Sequence, residues 1–134
     1  MLVRPITKEE QLQSAQLFAI AFESPFDPND LTPFAENPCI WAAFDEESGE
    51  MMSTVYVTDY RVQFDGGRSK MGGIGGVASL PQYRRAGGIR ACFQKALPIL
   101  YREGYVFSYL YPFSTAYYRK FGYESCVQRY LAGL

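Results

Sequence analysis

The chain has 134 residues and 48% apolar content, enough for one domain of ordinary size with a real core. Thirteen basic and fourteen acidic side chains leave a formal net charge of −1, which excludes nucleic-acid binding by bulk positive charge. The absence of histidine excludes Ser-His-Asp and Cys-His nucleophilic schemes and removes the commonest metal ligand.

Leu2 to Ile6 reads as a short strand. Thr7-Lys8-Glu9-Glu10 has the form of a capping box, Thr7 as N-cap and Glu10 reaching back. A helix is expected from there to about Phe22, with Leu12, Ala15, Ala19 and Phe22 on one face. This N-terminus carries no apolar signal core and no stretch is long enough to span a bilayer, so the reading is a cytoplasmic protein with no membrane partner. Ser24 to Pro38 is a loop punctuated by Pro25, Pro28 and Pro33. Its Phe26, Leu31 and Phe34 are more than a solvated loop needs; it either folds over a substrate cleft or covers the core. Cys39 to Phe44 is a strand, residues 45–49 its turn, and Met51 to Thr58 the partner. Tyr60 to Phe64 pairs across Asp65-Gly66-Gly67 with Arg68 to Met71, as a second hairpin or a bulged extension. Cys39, Cys92 and Cys126 lack CxxC spacing and read as small buried hydrophobes in a reducing compartment.

The chain is organised around Gly72 to Ala91. An apolar strand, Ile74 to Leu80, meets Pro81; a loop carries Arg84-Arg85-Ala86-Gly87-Gly88; then Ile89, Cys92, Phe93, Ala96, Leu97 and Leu100 recur at helical spacing. A strand, a glycine turn with two arginines and a helix N-terminus make an anion site. Free N–H groups and the helix dipole favour negative charge there, and the guanidinium groups suit phosphate oxygens. Gly87 and Gly88 are read as letting a ligand approach the backbone. A Walker loop is excluded, because no Gly-Lys-Ser/Thr opens the helix. Gly73-Ile74-Gly75-Gly76-Val77-Ala78 fits the dinucleotide pattern GxGxxA, but no helix starts there and the position about 20 residues on is Phe93, so that reading is rejected. The helix runs from about Gly87 to Arg102 with Pro98 inside it, Gly104 ends it, and Tyr105 to Tyr111 is an aromatic-rich strand closed by Pro112. Ser114 caps a short helix, Thr115 to Phe121, stopped by Gly122; Ser125 to Leu134 begins a last strand. This order implies an α/β (α+β) domain: a mixed, mostly antiparallel sheet, helices on both faces, and one parallel crossover at the ligand loop.

Two runs carry a family resemblance. Arg84-Arg85-Ala86-Gly87-Gly88-Ile89 resembles the acyl-CoA pyrophosphate loop of the GNAT acetyltransferases, Q/R-x-x-G-x-G/A, with Ile89 departing at the sixth position. With Val77-Ala78-Ser79-Leu80-Pro81 before it and Tyr117-Tyr118-Arg119-Lys120-Phe121-Gly122-Tyr123 later, the chain resembles the first GNAT domain of the enhanced-intracellular-survival N-acetyltransferases. The resemblance implies a GNAT fold, acetyl-CoA as acyl donor and a small-molecule or lysine amine as acceptor. Val77, Ala78 and Ser79 then match main-chain contacts to the pantetheine arm. Arg84 and the loop Arg85, Ala86, Gly87, Gly88, Ile89 and Arg90 match the pyrophosphate site, and Phe113 and Ser114 match a further donor contact. Tyr118 matches the general acid. Members are longer, and their terminal carboxylate serves as base; the full-length protein is expected to be a homo-oligomer. Residues 1–134 are therefore expected to be one GNAT domain, the truncated N-terminal part of a multidomain protein.

The chemistry fits these residue types. Acetyl transfer from a thioester needs a neutral amine, a polarised carbonyl and a proton for the leaving thiolate, but no protein nucleophile. A phenol of pKa ~10 stays protonated at neutral pH and can supply that proton. Among eleven tyrosines, Tyr117 and Tyr123 are the structural alternatives to Tyr118. For the base, Asp27, Asp30, Glu36 and a water-mediated route stay open. Two other readings are a non-catalytic acyl-CoA-binding or assembly module, which needs no Tyr118, and a structural domain whose arginines are merely solvated.

Overall fold

The computed structural model describes residues 1–24, 38–110 and 115–124. Most of the proline-rich loop, with Asp27, Asp30 and Glu36, lies outside them, as do Phe113, Ser114, Cys126 and the expected last strand.

Eight elements follow in order: β1 Leu2–Pro5, α1 Gln11–Phe22, β2 Pro38–Phe44, β3 Met51–Phe64, β4 Gly67–Ser79, α2 Gly88–Arg102, β5 Tyr105–Leu110 and α3 Thr115–Arg119. They build one sheet in the order β1-β2-β3-β4-β5. Every neighbouring pair is antiparallel except β4 and β5. A parallel return cannot be made by a tight turn, and α2 is the crossover that makes it. This is the expected α+β architecture with its parallel step at the ligand loop.

The short hairpin read across Asp65-Gly66-Gly67 is the closed end of a longer one, in which the strands read as separate segments are joined. β3 and β4 run unbroken from Met51 to Phe64 and from Gly67 to Ser79, closed by Asp65 (φ 52°) and Gly66 (φ 79°). Two successive left-handed residues give the turn whose twist matches that of the strands. Asp59 and Gly72-Gly73 read as breaks because neither type favours strands, yet Asp59 pairs with Gly72 and Thr58 with Gly73 inside the ladder. The Tyr60 ring covers the bare backbone of Gly73, where a Cβ would come within 2.5 Å of it.

The first helix buries a different face from the one expected. Thr7 N–H donates to Glu10 Oε1 at 2.9 Å, so the reaching-back glutamate is present, though it closes a 3₁₀ turn ahead of α1. In α1 itself Ser14, Ala15 and Leu17 are buried while Leu12 and Phe22 are exposed. The helix is apolar nearly all round, so periodicity chooses its inner face weakly. A polar contact marks the choice: the Ser14 and Tyr56 hydroxyls hydrogen-bond at 2.7 Å in the interior.

The sheet carries a helix on each side. Trp41, Ala43, Val55, Val57 and Ile74 pack against Cys92, Phe93, Ala96 and Leu100 of α2, with Tyr118 in the same cluster. Ala42, Phe44, Met51, Ala78 and Leu80 pack against Leu17 of α1. Alternate residues of β2 thus feed opposite cores, as the two-residue period of a strand requires; Cys39, near the start of the strand, is exposed and not buried as its sequence reading had it.

Where α2 meets the sheet, Gly88 is buried and a Cβ on it would lie 2.4 Å from Ser53 Oγ and 2.8 Å from Ser53 Cβ. Ser53 is itself held by a 2.6 Å hydrogen bond to Ser79. Gly88→Ala is therefore expected to destabilise the fold by ~1–3 kcal/mol through overpacking, read as a lower urea midpoint. An unchanged midpoint would mean that the helix start can lift off the strand at no cost.

Candidate functional site

The loop between β4 and α2 opens with a 3₁₀ turn, Pro81–Tyr83, in which Tyr83 N–H bonds to the Leu80 carbonyl at 2.9 Å. Ala86 N–H returns to the Tyr83 carbonyl at 3.0 Å. Arg85 then takes φ 70° and Gly87 φ 84°. Left-handed backbone at a non-glycine residue costs energy and is uncommon. With Arg84 at φ −57° and ψ 137° and the Ala86 N–H on the Tyr83 carbonyl, residues 83–86 form a type II turn. Within α2 the first helical bond runs from Ala91 N–H to the Gly87 carbonyl at 3.0 Å. The N–H groups of Arg85, Gly87, Ile89 and Arg90 have no acceptor among the described residues. Arg84, Arg85 and Arg90 are exposed, and no carboxylate among the described residues forms an ion pair with them.

The two loop glycines serve different ends, which corrects their joint reading as clearance for a ligand. Gly87 supplies the left-handed turn and has open space where a Cβ would stand. Gly88 faces the sheet, and its missing Cβ admits Ser53. Ile89, the departure from the motif, packs its side chain on the α2 core, and Ala86 is exposed.

Upstream of the loop, the described pairing of β4 with β5 covers only part of the strand. β5 follows it only from Lys70 opposite Tyr105 to Ile74 opposite Leu110. From Gly75 to Ser79, β4 pairs with β3 alone among the described residues. The register shifts there: Thr54 faces Ala78 and Tyr56 faces Gly75, leaving Gly76 and Val77 opposite the single residue Val55. That is a β-bulge, and Gly76 takes φ 54° in it. Thr54 Oγ1 donates to the Gly76 carbonyl at 2.9 Å, and the Tyr56 ring fills the place of a Gly76 side chain. The bulge follows directly on Ile74, the last described residue paired with β5. Val77, Ala78 and Ser79 are paired on one side only among the described residues, and they lead into the loop that carries Arg84 to Arg90.

Tyr118 sits in α3 with 3% of its surface exposed. Its ring meets Phe93 of α2 edge-on at 6.2 Å, Tyr117 at 5.1 Å and Tyr123 at 6.4 Å. Ile74, the last β4 residue paired to β5, belongs to the same core cluster. Burial first, then the neighbouring Tyr117 and Tyr123, pushes the Tyr118 phenol up to about 12. Burial alone pushes the Cys92 thiol up to about 12. Both groups are neutral when folded and easier to ionise when unfolded. Their contribution to stability is complete below the unfolded values, near 9 and 10, and is lost as pH rises through about 12. The urea midpoint is expected to fall across that window, and Tyr118→Phe to make the fall shallower. Equal slopes in the two proteins would contradict the burial account.

Residues 2–126 match the family described as "Acetyltransferase (GNAT) domain". The chain belongs to the GNAT acetyltransferase family. Among solved structures it is similar to an Enterococcus faecalis V583 protein described as a probable N-acyltransferase, at 32% identity and a TM-score of 0.84, covering 92% of this chain and 32% of that one. It is also similar to Eis1 of Mycobacterium abscessus, at 19% identity and a TM-score of 0.78, again over 92% of this chain and 32% of the other. Glucosamine-6-phosphate N-acetyltransferase of Arabidopsis thaliana shares the fold at 12% identity and a TM-score of 0.77, covering 97% and 95%. The chain spans about a third of the length of the Enterococcus and Mycobacterium proteins. None of the curated proteins matches it.

Several residues that shape this GNAT site were not singled out in the sequence. Thr54 and Gly76 hold the bulge, and Tyr83 anchors the loop. A pair of glycines inside an otherwise apolar strand is the signal that could have exposed the bulge. Nothing in the local sequence marks Tyr83 or Thr54, whose partners are 33 and 22 residues away. The three β4 glycines read against a dinucleotide fingerprint, Gly73, Gly75 and Gly76, are mid-strand, consistent with rejecting that motif.

Proposed function

We propose that the chain transfers an acetyl group from acetyl-CoA to a primary amine by direct attack, with Tyr118 as the proton donor. The observation that carries this reading is the continuity of β4 from Val77 to Ser79, paired on one side only among the described residues, with a loop whose N–H groups have no acceptor among them and which carries three exposed arginines. That pairing suits an extended polar arm ending in a pyrophosphate. Main-chain groups of Val77, Ala78 and Ser79 would hold the arm, and Arg84, Arg85, Gly87, Gly88, Ile89 and Arg90 the pyrophosphate. When bound, the donor supplies an activated thioester. The protein's part is to orient it along β4, keep water out, and offer a proton near the departing sulfur.

Tyr118 is protonated throughout the physiological range, since its phenol stands at about 12. Its hydrogen bond to the departing sulfur would strengthen as charge develops there, and the proton would follow as the thiolate leaves. The deep burial of Tyr118 is also what a non-catalytic acyl-CoA-binding module would show, with the ring as packing alone.

We also read residues 1–134 as one domain of a longer multidomain, homo-oligomeric protein acting in the cytoplasm. Support comes from the matches that cover about a third of two longer proteins. No helix among the described residues is long and apolar enough to cross a membrane. The base and part of the acceptor pocket would then come from elsewhere in that protein. The test is calorimetric titration with CoA, followed by an assay of thiol release from acetyl-CoA with a polyamine, an aminoglycoside and a lysine peptide, using full-length protein. Binding with release supports the enzyme. Binding without amine-dependent release supports the module, and no binding overturns both.

A further inference from the structure

The loop that would hold the pyrophosphate is bent into a conformation its own residues do not favour, with Arg85 at φ 70°. Such backbone persists only where its surroundings hold it. Two anchors do so, and both stand on the β2–β3 hairpin. After the bend, Gly88 seats against Ser53 and Ala43. Before it, the Tyr83 ring packs beside the α1-side core, and its hydroxyl donates to Glu50 Oε2 at 2.7 Å. Asp45 Oδ2 lies farther off, at 3.4 Å. The acceptors are themselves fixed by the hairpin turn: Asp45 N–H bonds to the Glu50 carbonyl at 2.9 Å, Gly49 N–H to the Asp45 carbonyl at 2.8 Å, and Glu47 N–H to Asp45 Oδ1 at 2.9 Å. Tyr83 immediately precedes Arg84, and its carbonyl accepts the Ala86 N–H, so a shift of Tyr83 moves the N–H groups of the bend.

We propose that Tyr83 is a positioning residue of the donor site: by tying the loop to Glu50 it fixes the anion-binding bend, and so sets affinity for the pyrophosphate part of the donor. This rests on the acyl-CoA reading above. A single hydroxyl is removed by Tyr83→Phe while the ring and its packing stay. Against CoA, that variant is expected to bind ~3- to 10-fold more weakly, the scale of one ordinary hydrogen bond acting through the loop. Against pantetheine, which lacks the pyrophosphate, its affinity should equal wild type. Glu50→Ala should reproduce the loss, Glu50→Gln should keep most of the affinity because an amide oxygen still accepts, and the Tyr83→Phe/Glu50→Ala pair should be no worse than either alone.

Calorimetry with CoA, an NMR titration with pantetheine and thermal midpoints of each variant make the test. A loss confined to CoA, with midpoints close to wild type, supports the tether. Unchanged CoA affinity in Tyr83→Phe overturns it, and so does a parallel loss for CoA and pantetheine, which would be general loosening. If wild-type protein itself fails to bind CoA, the donor reading and the tether fall together. If wild type binds and Tyr83→Phe matches it, only the tether falls.

Discussion

Tyr118→Phe is expected to lower kcat of the full-length protein by ~10²–10⁴, the range for loss of a general acid. The substitution leaves the ring that meets Phe93, Tyr117 and Tyr123 and removes only the hydroxyl. Core burial is kept, so the thermal midpoint should move little, and acetyl-CoA affinity should stay near wild type because the pyrophosphate loop is untouched. Since the phenol ionises only near 12, the wild-type rate should show no downward limb from Tyr118 below about pH 10. Tyr123→Phe is the control. Its hydroxyl hydrogen-bonds to Ser108, so it should cost some stability and little turnover. Full turnover in Tyr118→Phe would remove the acid role and leave the ring as core, which its 3% exposure already makes it in part.

What the sequence disclosed was local or periodic. Residues 72–91 announced strand, loop and helix because each has its own spacing, and α2 falls at Gly88–Arg102, one residue from its expected start. The capping glutamate at Glu10 and the stop at Gly104 (φ 87°) are likewise short-range signals. What stayed hidden depends on pairing across distance. α1 could not show which side it buries, because the deciding partner is Tyr56, 42 residues from Ser14. The glycines of β4 hid one continuous strand, since a backbone covered by Tyr60 and Tyr56 from the neighbouring strand needs no side chain of its own. Within the site, Arg84 to Arg90 was legible as a charge-and-glycine pattern. The separate duties of Gly87 and Gly88 were not, because one is a matter of φ and the other of a contact with β3.

Replacing both Arg84 and Arg85 by Ala is expected to weaken CoA binding more than either single change, each arginine carrying ~1–3 kcal/mol if its guanidinium meets a phosphate oxygen. No carboxylate among the described residues competes for these side chains, so their charge is available to a ligand. Because they are exposed, that affinity should fall with added salt, and the double variant should lose most of the salt dependence. Arg85→Ala tests two things at once, since Arg85 also holds φ 70°; Arg85→Gly removes the charge while relieving the strain. If charge dominates, both Arg85 variants lose affinity alike. If the bend dominates, Gly binds better than Ala. Gly87 gives the complementary case, with open space but φ 84°. Ala there should cost ~1–2 kcal/mol of backbone strain, and Val more, because a β-branched side chain is least tolerated in that region. Calorimetric affinities for CoA at low and high salt decide the matter. Unchanged values in Arg84→Ala, Arg85→Ala and the double variant would mean that this loop, for all its unpaired N–H groups, is not where the donor's phosphates bind.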